Sequence, residues 1–288
     1  MTMTWQNRAG IELLTPPFRG FQRQLVRTLF ALPPGLRERL LFSQSWYCVP
    51  LQKVLRRALG GAHSASSRFV AGPMAGTVFN CSTAEKYFWM GSEFEQDLQQ
   101  RLTITLRPGD VAYDIGGHCG YLALLFSALV GRHGSVYSFE PSPVNLARIQ
   151  RNVDQNAGSR IFVIGQAVSD REGSAFLNER GSESSLVAAE GAAVGGVCCI
   201  PTIRLDDFVY RDGHPEPNFI KLDVEGHAGP ALRGARQVLA KARPRIMCEL
   251  HSLEEESEVH AGVADFGYRC HNFDAGMPYP RRVLFEAS

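Results

Sequence analysis

Two periodicities divide this chain. Between residues 18 and 59 the apolar positions Phe21, Leu25 and Leu29, then Leu36, Leu40 and Leu41, then Val49, Leu51, Val54, Leu55 and Leu59 recur at helical spacing. Pro33-Pro34 and Pro50 interrupt the series, so it predicts three short helices. The Gly- and Ser-rich stretch 60–67 that follows reads as a linker, which places a helical N-terminal extension at 1–70 and the main domain at 71–288.

From about residue 107 the rhythm changes. Short apolar, β-branched runs at 110–115, 135–139, 161–164, 219–222, 245–249, 268–272 and 283–285 alternate with helical patterns at 121–129, 144–155, 228–240 and 252–266. Strands written as near-continuous apolar runs with helices between them belong to a parallel sheet covered on both faces. The expected architecture is α/β and Rossmann-like, with seven strands, mostly parallel, and an antiparallel last strand. The segment 169–204 breaks the alternation, with strands expected at 175–178 and 197–203 around a Gly/Ser/Ala-rich loop, 179–196. Loops of that length inside a compact domain usually serve function, and this one is expected to close over substrate.

Composition adds bounds. The chain has 288 residues, 44% of them hydrophobic, enough for a large core and far from a disordered composition. Its apolar helical stretch 121–130 is about half a membrane span, and the N-terminus lacks the cationic-then-apolar order of a secretory signal. Seven cysteines without a C-x-x-C pair indicate neither a disulfide framework nor a zinc cluster. The expectation is a cytoplasmic protein with reduced thiols and no integral membrane segment. The total charge of +1 hides an asymmetry, because residues 1–70 carry ten Arg/Lys against Glu12 and Glu38, a net +8, leaving −7 on the rest. Such arginines are expected to form a solvated helix face or to pair with acids. The run lacks the aromatic interleaving of a single-strand binder, so no nucleic-acid partner is expected.

The chemistry begins where a strand runs into Asp114-Ile-Gly116-Gly117-His118-Cys119-Gly120 and then a helix. Glycine lets the backbone turn sharply against a ligand, and the helix N-terminus adds oriented amides. A dinucleotide fingerprint needs glycine where His118 stands, whereas the D-x-G-x-x-x-G spacing suits Asp114 to an ammonium or a bound water. Glu140 closes the second strand 24 residues after Gly116, the place from which an acid reads ribose hydroxyls. After the third strand comes Gln166-Ala167-Val168, small and apolar residues where an adenine would pack.

Two further strand ends carry ionisable groups. Lys221, Asp223 and Glu225 close the fourth strand, at the carboxyl edge where open α/β sheets bind ligands. Alternation along an extended backbone would point Asp223 and Glu225 to opposite faces, with Asp223 serving as base or orienting group for an acceptor hydroxyl. Glu249 and His251 close the fifth strand on a shared face, and His251 is the group suited to titrate near neutrality. Asp223, Glu249 and His251 also make an oxygen/nitrogen donor set for a divalent metal.

Taken together and in this order, residues 89–252 resemble the FkbM family of S-adenosylmethionine (SAM)-dependent methyltransferases. The resemblance rests on Pro108-Gly-Asp-Val-Ala-Tyr-Asp-Ile-Gly116, Glu140-Pro141, Thr202-Ile-Arg-Leu-Asp206-Asp207, Ile220-Lys-Leu-Asp-Val-Glu-Gly226 and Glu249-Leu-His251. It implies a class I methyltransferase fold and SAM as cofactor. Asp114, Gly116, Gly117, His118, Gly120, Glu140, Ala167 and Val168 would hold that cofactor, and Lys221, Asp223, Glu225, Glu249 and His251 would line the reaction site. The implied reaction is O-methylation of a hydroxyl on a sugar or secondary metabolite. A carboxyl acceptor, or SAM binding without turnover, stands as the alternative, and a homodimer is left open. Gly117-His118 departs from the Ala-Asn usual in the family, and residues 1–70 lie outside the resemblance.

Overall fold

The structure, a computed structural model, describes residues 10–15, 20–43, 45, 48–60, 64–178, 185–187 and 197–288. Two compact units emerge, one of the described residues up to Thr105 together with Asp154–Ala157, the other of Leu106–Val153 and Gly158–Ser288.

The N-terminal unit contains β1 (Ile11–Thr15), α1 (Phe21–Ala31), α2 (Pro34–Phe42), α3 (Val49–Ala58), β2 (Ser64–Phe69), β3 (Val78–Ser82), α4 (Lys86–Met90) and α5 (Gln96–Thr105). The three helices read from the periodicity are present, but the unit is not purely helical, since β1, β2 and β3 pair into an antiparallel sheet. The expected boundary at 70/71 therefore falls inside a sheet. The expected linker largely becomes β2, which buries Ala65, Ser67 and Phe69 in alternation. Phe30, Phe88 and Trp89 pack with ring centroids 4.9–5.6 Å apart, and the Trp89 indole donates to the Thr83 carbonyl at 2.7 Å. Arg37 lies wholly buried, paired with Glu93 at 2.7 Å, whereas Arg23, Arg27, Arg39, Lys53, Arg56, Arg57 and Arg68 are exposed.

The second unit holds β4 (Val111–Ile115), α6 (Tyr121–Val130), β5 (Ser135–Phe139), α7 (Pro143–Asp154), β6 (Ile161–Ile164), β7 (Ala167–Val168), β8 (Gly173–Asn178), β9 (Ser185–Val187) and β10 (Val197–Ile203). After these come β11 (Phe219–Leu222), α8 (Ala228–Arg233), α9 (Arg236–Lys241), β12 (Arg245–Leu250), α10 (Leu253–Val263), β13 (Tyr268–Asn272) and β14 (Arg281–Ala287). Seven strands form one sheet in the order β13-β14-β12-β11-β4-β5-β6, parallel throughout except for β14. This is the expected Rossmann-like class I methyltransferase fold. A smaller sheet, β7-β10-β8-β9, is inserted between β6 and β11. Of the loop expected to cover substrate, 179–196, only 185–187 falls within the described residues, as β9 beside β8.

Sheet order fixes where chemistry can sit. The chain leaves β4 toward β5 and β6, then returns to β11 on the other side of β4, so the direction of winding switches between β4 and β11. Ligands of such sheets bind at the carboxyl ends of the strands flanking that switch. The register also puts Lys221 opposite Asp114 and Asp114 opposite Ser138, a polar row across three buried strands.

The helix expected at 228–240 is divided into α8 and α9. At the break, the Gly234 carbonyl accepts from the Asp206 amide at 2.9 Å, and a Cβ on Gly234 would collide with the Ser169 carbonyl oxygen. Asp206, buried, accepts from the amides of Gln237 and Val238 at 2.8 and 3.0 Å and so caps α9.

Candidate active site

The glycine turn after β4 is built as a close approach between backbones. Gly116 adopts φ +85°, and a Cβ there would strike the Asp223 carbonyl oxygen. Gly117 leaves room for the Ser138 hydroxyl, and both glycine amides donate to the Phe139 carbonyl at 3.0 Å. Gly120, the N-cap position of α6, packs behind the turn on Ile149. His118 sits in the left-handed region at φ +50°, a strained state for a non-glycine residue, and its amide donates to Glu140 Oε2 at 2.7 Å.

A cleft of about 680 Å³, its open mouth included, lies over this turn at the carboxyl ends of β4, β5 and β11. That is within the usual range for small-molecule sites, roughly 300–1,000 Å³. Gly116, His118 and Glu140 line one part, Phe139, Ala167 and Val168 an apolar part, and Asp223, Glu225 and His227 a third. Asp114, Gly117 and Gly120 are not among its lining residues. Asp114 is fully buried beneath the turn, where Ser138 Oγ donates to Oδ2 at 3.2 Å and the Lys221 ammonium stands 3.8 Å from Oδ1. Burial raises the Asp114 carboxyl to about 6, against the pull of Lys221 and Ser138. Asp114 thus sits in the row beneath the cleft rather than on its wall.

Glu140 is the acid on the β5 side of the cleft. Its Oε1 accepts from the Ser142 amide at 2.9 Å and its Oε2 from the His118 amide at 2.7 Å, and the Asn145 side chain donates to the same carboxylate. Burial lifts its carboxyl to about 7 despite those donors.

The remaining ionisable residues form a ladder. Lys221 Nζ donates to the Gly116 carbonyl and to Asp223 Oδ2, both at 3.1 Å. Asp223 Oδ1 meets His251 Nε2 at 3.0 Å, and Glu225 Oε2 lies 3.3 Å from His251 Nδ1. Asp223 and Glu225 therefore reach one imidazole from its two sides, not opposite faces as alternation suggested. The reason is local: β11 ends at Leu222, and the chain then turns through Glu225 and Gly226 at φ +48° and +90°.

Two facing carboxylates also set the charge of His251. Burial opposes protonation, but the hydrogen bond to Asp223 and the charges of Asp223, Glu225 and Glu255 outweigh it and raise the imidazole to about 9. His251 is an imidazolium at neutral pH, donating from both nitrogens, rather than a group titrating near neutrality. Burial opposes ionisation of Asp223 as well, yet Lys221 and His251 hold its carboxyl below the usual range. Lys221 stays charged because Asp223, Asp114 and Glu249 overcome its burial. Donor atoms of Asp223, Glu249 and His251 do lie within 4.8 Å of one another. An ion there would have to displace the His251 proton and compete with Lys221 for Asp223.

Two residues of this region were not singled out in the sequence. Glu255, buried in α10, accepts from the amides of Gly226 and Ala228 through Oε1 at 3.1 and 3.3 Å, and from the His251 amide through Oε2 at 2.8 Å. It ties the strained turn to the end of β12. Its signal was the capping box Ser252-x-x-Glu255, and Ser252 Oγ does accept from the Glu255 amide at 3.1 Å. His227 faces Ser169 Oγ at 3.1 Å, and burial lowers its pKa.

A family model described as the methyltransferase FkbM domain matches residues 114–270, more than half of the chain. The hexuronic acid methyltransferase AglP of Haloferax volcanii is 30% identical over 172 residues, covering 59% of this chain and 64% of that protein. The 31-O-demethyl-FK506 methyltransferase FkbM of Streptomyces tacrolimicus is 24% identical over 213 residues, or 63% of this chain and 81% of that one. The 2-O-methyltransferase NoeI of Sinorhizobium fredii is 26% identical over 161 residues, 50% and 65% respectively. The chain thus spans just under two thirds of the length of AglP and of NoeI.

Proposed function

This chain belongs to the FkbM methyltransferase family, and from that premise we propose that it moves the methyl group of SAM onto a hydroxyl oxygen of a small-molecule acceptor, a sugar or a secondary metabolite. The observation that carries the reading is a single cleft lined by Glu140 after β5 and by Asp223 and Glu225 after β11. Those strand ends are two strand spacings apart, about 10 Å.

The donor set fits SAM. Glu140 would take the ribose hydroxyls, one of them in place of the Asn145 side chain, and Phe139, Ala167 and Val168 offer an apolar bed for the adenine. When bound, SAM supplies a methyl group on a sulfonium that an acceptor oxygen displaces. Asp223, ionised and braced by Lys221 and His251, would accept a hydrogen bond from the acceptor's hydroxyl and fix the direction of its lone pair. As the oxygen takes the methyl the thioether would leave, and the hydroxyl proton would pass by way of Asp223 to solvent. Asp223, Glu225 and Glu249 outnumber the cations Lys221 and His251 here, which favours a neutral hydroxyl over an anionic acceptor. Two of the relatives carry oxygen methylation in their names, and the third is named for a hexuronic acid. A hexuronic acid also bears a carboxylate, so methyl-ester formation is the second reading.

Incubation of the protein with SAM and a panel of sugars, uronic acids and polyhydroxylated metabolites tests the proposal by mass spectrometry. The expected product gains one methyl that survives mild alkali, as an ether does. A methyl lost to mild alkali would select the ester, and SAM binding with no turnover on any acceptor would overturn the enzymatic reading.

Glu140 gives a further expected outcome. Only its ionised form accepts from two hydroxyls, so SAM affinity should weaken as pH falls through about 7, by up to about tenfold per unit below it. Glu140→Gln should lose most of this dependence and bind at least about tenfold more weakly at pH 8, since each charge-assisted hydrogen bond is worth about 1.5–3 kcal/mol. Calorimetric titration at pH 6 and pH 8 reads both. A wild-type affinity level with pH would remove Glu140 from the ribose.

A further inference from the structure

The N-terminal unit carries an amphipathic helix whose apolar stripe is left open. In α3 the apolar residues Leu51, Val54, Leu55 and Ala58 follow the i, i+3, i+4, i+7 pattern of one helical face, and Lys53, Arg56 and Arg57 occupy the opposite arc. Such a helix normally buries the apolar face. Here no residue of α3 is buried, Leu51 is 43% exposed and Val54 60%. The helix is held by its flank instead: Gln52 donates to the Ser43 carbonyl at 2.7 Å, and Gln52 and Arg56 line a cavity with Leu41, Phe42 and Trp89, while Lys53, Arg56 and Arg57 remain exposed. The neighbouring helices repeat the theme, with Phe21 73% exposed in α1 beside Arg23 and Arg27, and Leu36 46% exposed in α2 beside Arg39.

We propose that α3 is an interfacial helix, laying Leu51, Val54 and Leu55 into an anionic lipid surface while the cations of this unit meet the headgroups. Charge selects the occupant. The exposed cations of α3 are Lys53, Arg56 and Arg57, with no acid in the helix, so a second copy seated on this face would set like charges against like. A nucleic acid satisfies the charge but gives an aliphatic stripe nothing to bury against. An anionic bilayer does both, because the stripe enters the acyl boundary and flanking Lys and Arg reach back to phosphates.

Flotation of the full chain with phosphatidylcholine vesicles, with and without 30% phosphatidylglycerol (about one lipid in three, the regime of anionic leaflets), tests this. The protein should float with the anionic vesicles, remain in solution with the neutral ones, and be released as salt shortens the Debye length. Lys53→Gln/Arg57→Gln should weaken binding roughly 30-fold, from about one kcal/mol for each cation at an anionic surface. Leu51→Ser/Val54→Ser should abolish it. Unchanged thermal melting of both variants shows that they fold, and the salt response of the wild type stands without any variant. Three results would overturn the proposal: no flotation at low salt, flotation indifferent to the Leu51/Val54 change, or a dimer in sedimentation analysis that dissociates in Leu51→Ser/Val54→Ser.

Discussion

Asp223→Asn should lower turnover by roughly 10²–10⁴-fold, the range that a positioned acid–base group contributes, while leaving SAM affinity within about twofold. The substitution keeps shape and removes charge. Asparagine presents one carbonyl oxygen and an NH₂, so Lys221 and His251 cannot both donate to it as they do to the two carboxylate oxygens. The acceptor then loses the anion that orients its hydroxyl, and His251 loses the partner most responsible for its raised pKa. NMR titration of the His251 ring, near 9 in the wild type, should fall toward the ordinary value near 6.5 in the variant. The same shift sets the wild-type pH profile. His251 is protonated below about 9, so turnover should hold across neutrality and fall as pH rises through that value, when the imidazolium no longer braces Asp223. Near-normal turnover of Asp223→Asn would remove this acid from the acceptor and leave it a structural partner of Lys221.

Lys221→Met should be the most destabilising single change in the second unit, by about 3–5 kcal/mol, as expected when one partner of a buried ion pair is removed. At about 2–4 °C per kcal/mol for a unit of this size, melting should drop by about 6–20 °C. The change strips Asp223 of its cation, deprives the Gly116 carbonyl of a donor, and removes the charge nearest the fully buried Asp114. The sign of its pH dependence follows from Asp114. Its folded pKa, about 6, lies above the unfolded value, so its ionised form opposes folding, and that penalty appears as pH rises from the ordinary carboxylate value through 6. Without Lys221 the penalty grows, so the loss of stability should be larger at pH 8 than at pH 5. Adding Asp114→Asn to Lys221→Met should recover part of it. Equal losses at the two pH values would place the cost in packing of the lysine stem instead.

What the sequence could disclose followed from how local each cause is. Strands β5, β6 and β11 carry their own apolar runs, and all three are legible in the sequence at the bounds found in the structure. Strand β2 is written Ser-Ala-Ser-Ser-Arg-Phe, a composition that also describes a linker, and only its pairing with β1 and β3 makes it a strand. The helix break at Gly234 depends on a carbonyl 65 positions earlier in sequence, at Ser169. In the cleft, the placement of Glu140, Ala167 and Val168 was legible because strand ends are legible. The meeting of Asp223 and Glu225 on one imidazole was not, because it follows from a left-handed turn that alternation does not describe. The charge of His251 depends on that meeting and was hidden with it. Glu255 was hidden differently: its capping box is plain in the sequence, but its second task, holding residues 226–228 and the end of β12, lies in three dimensions.

For an engineer the wiring of Lys221 matters most. One ammonium serves the glycine turn through Gly116 and the acid–imidazole ladder through Asp223, so neither end can be redrawn without disturbing the other. Leu177 lines the same cleft from β8, in a separate sheet whose residues share no strand pairing with β4 or β11. A library meant to change the acceptor should therefore randomise the β8–β10 insert first, where variation is insulated from the buried ionic frame.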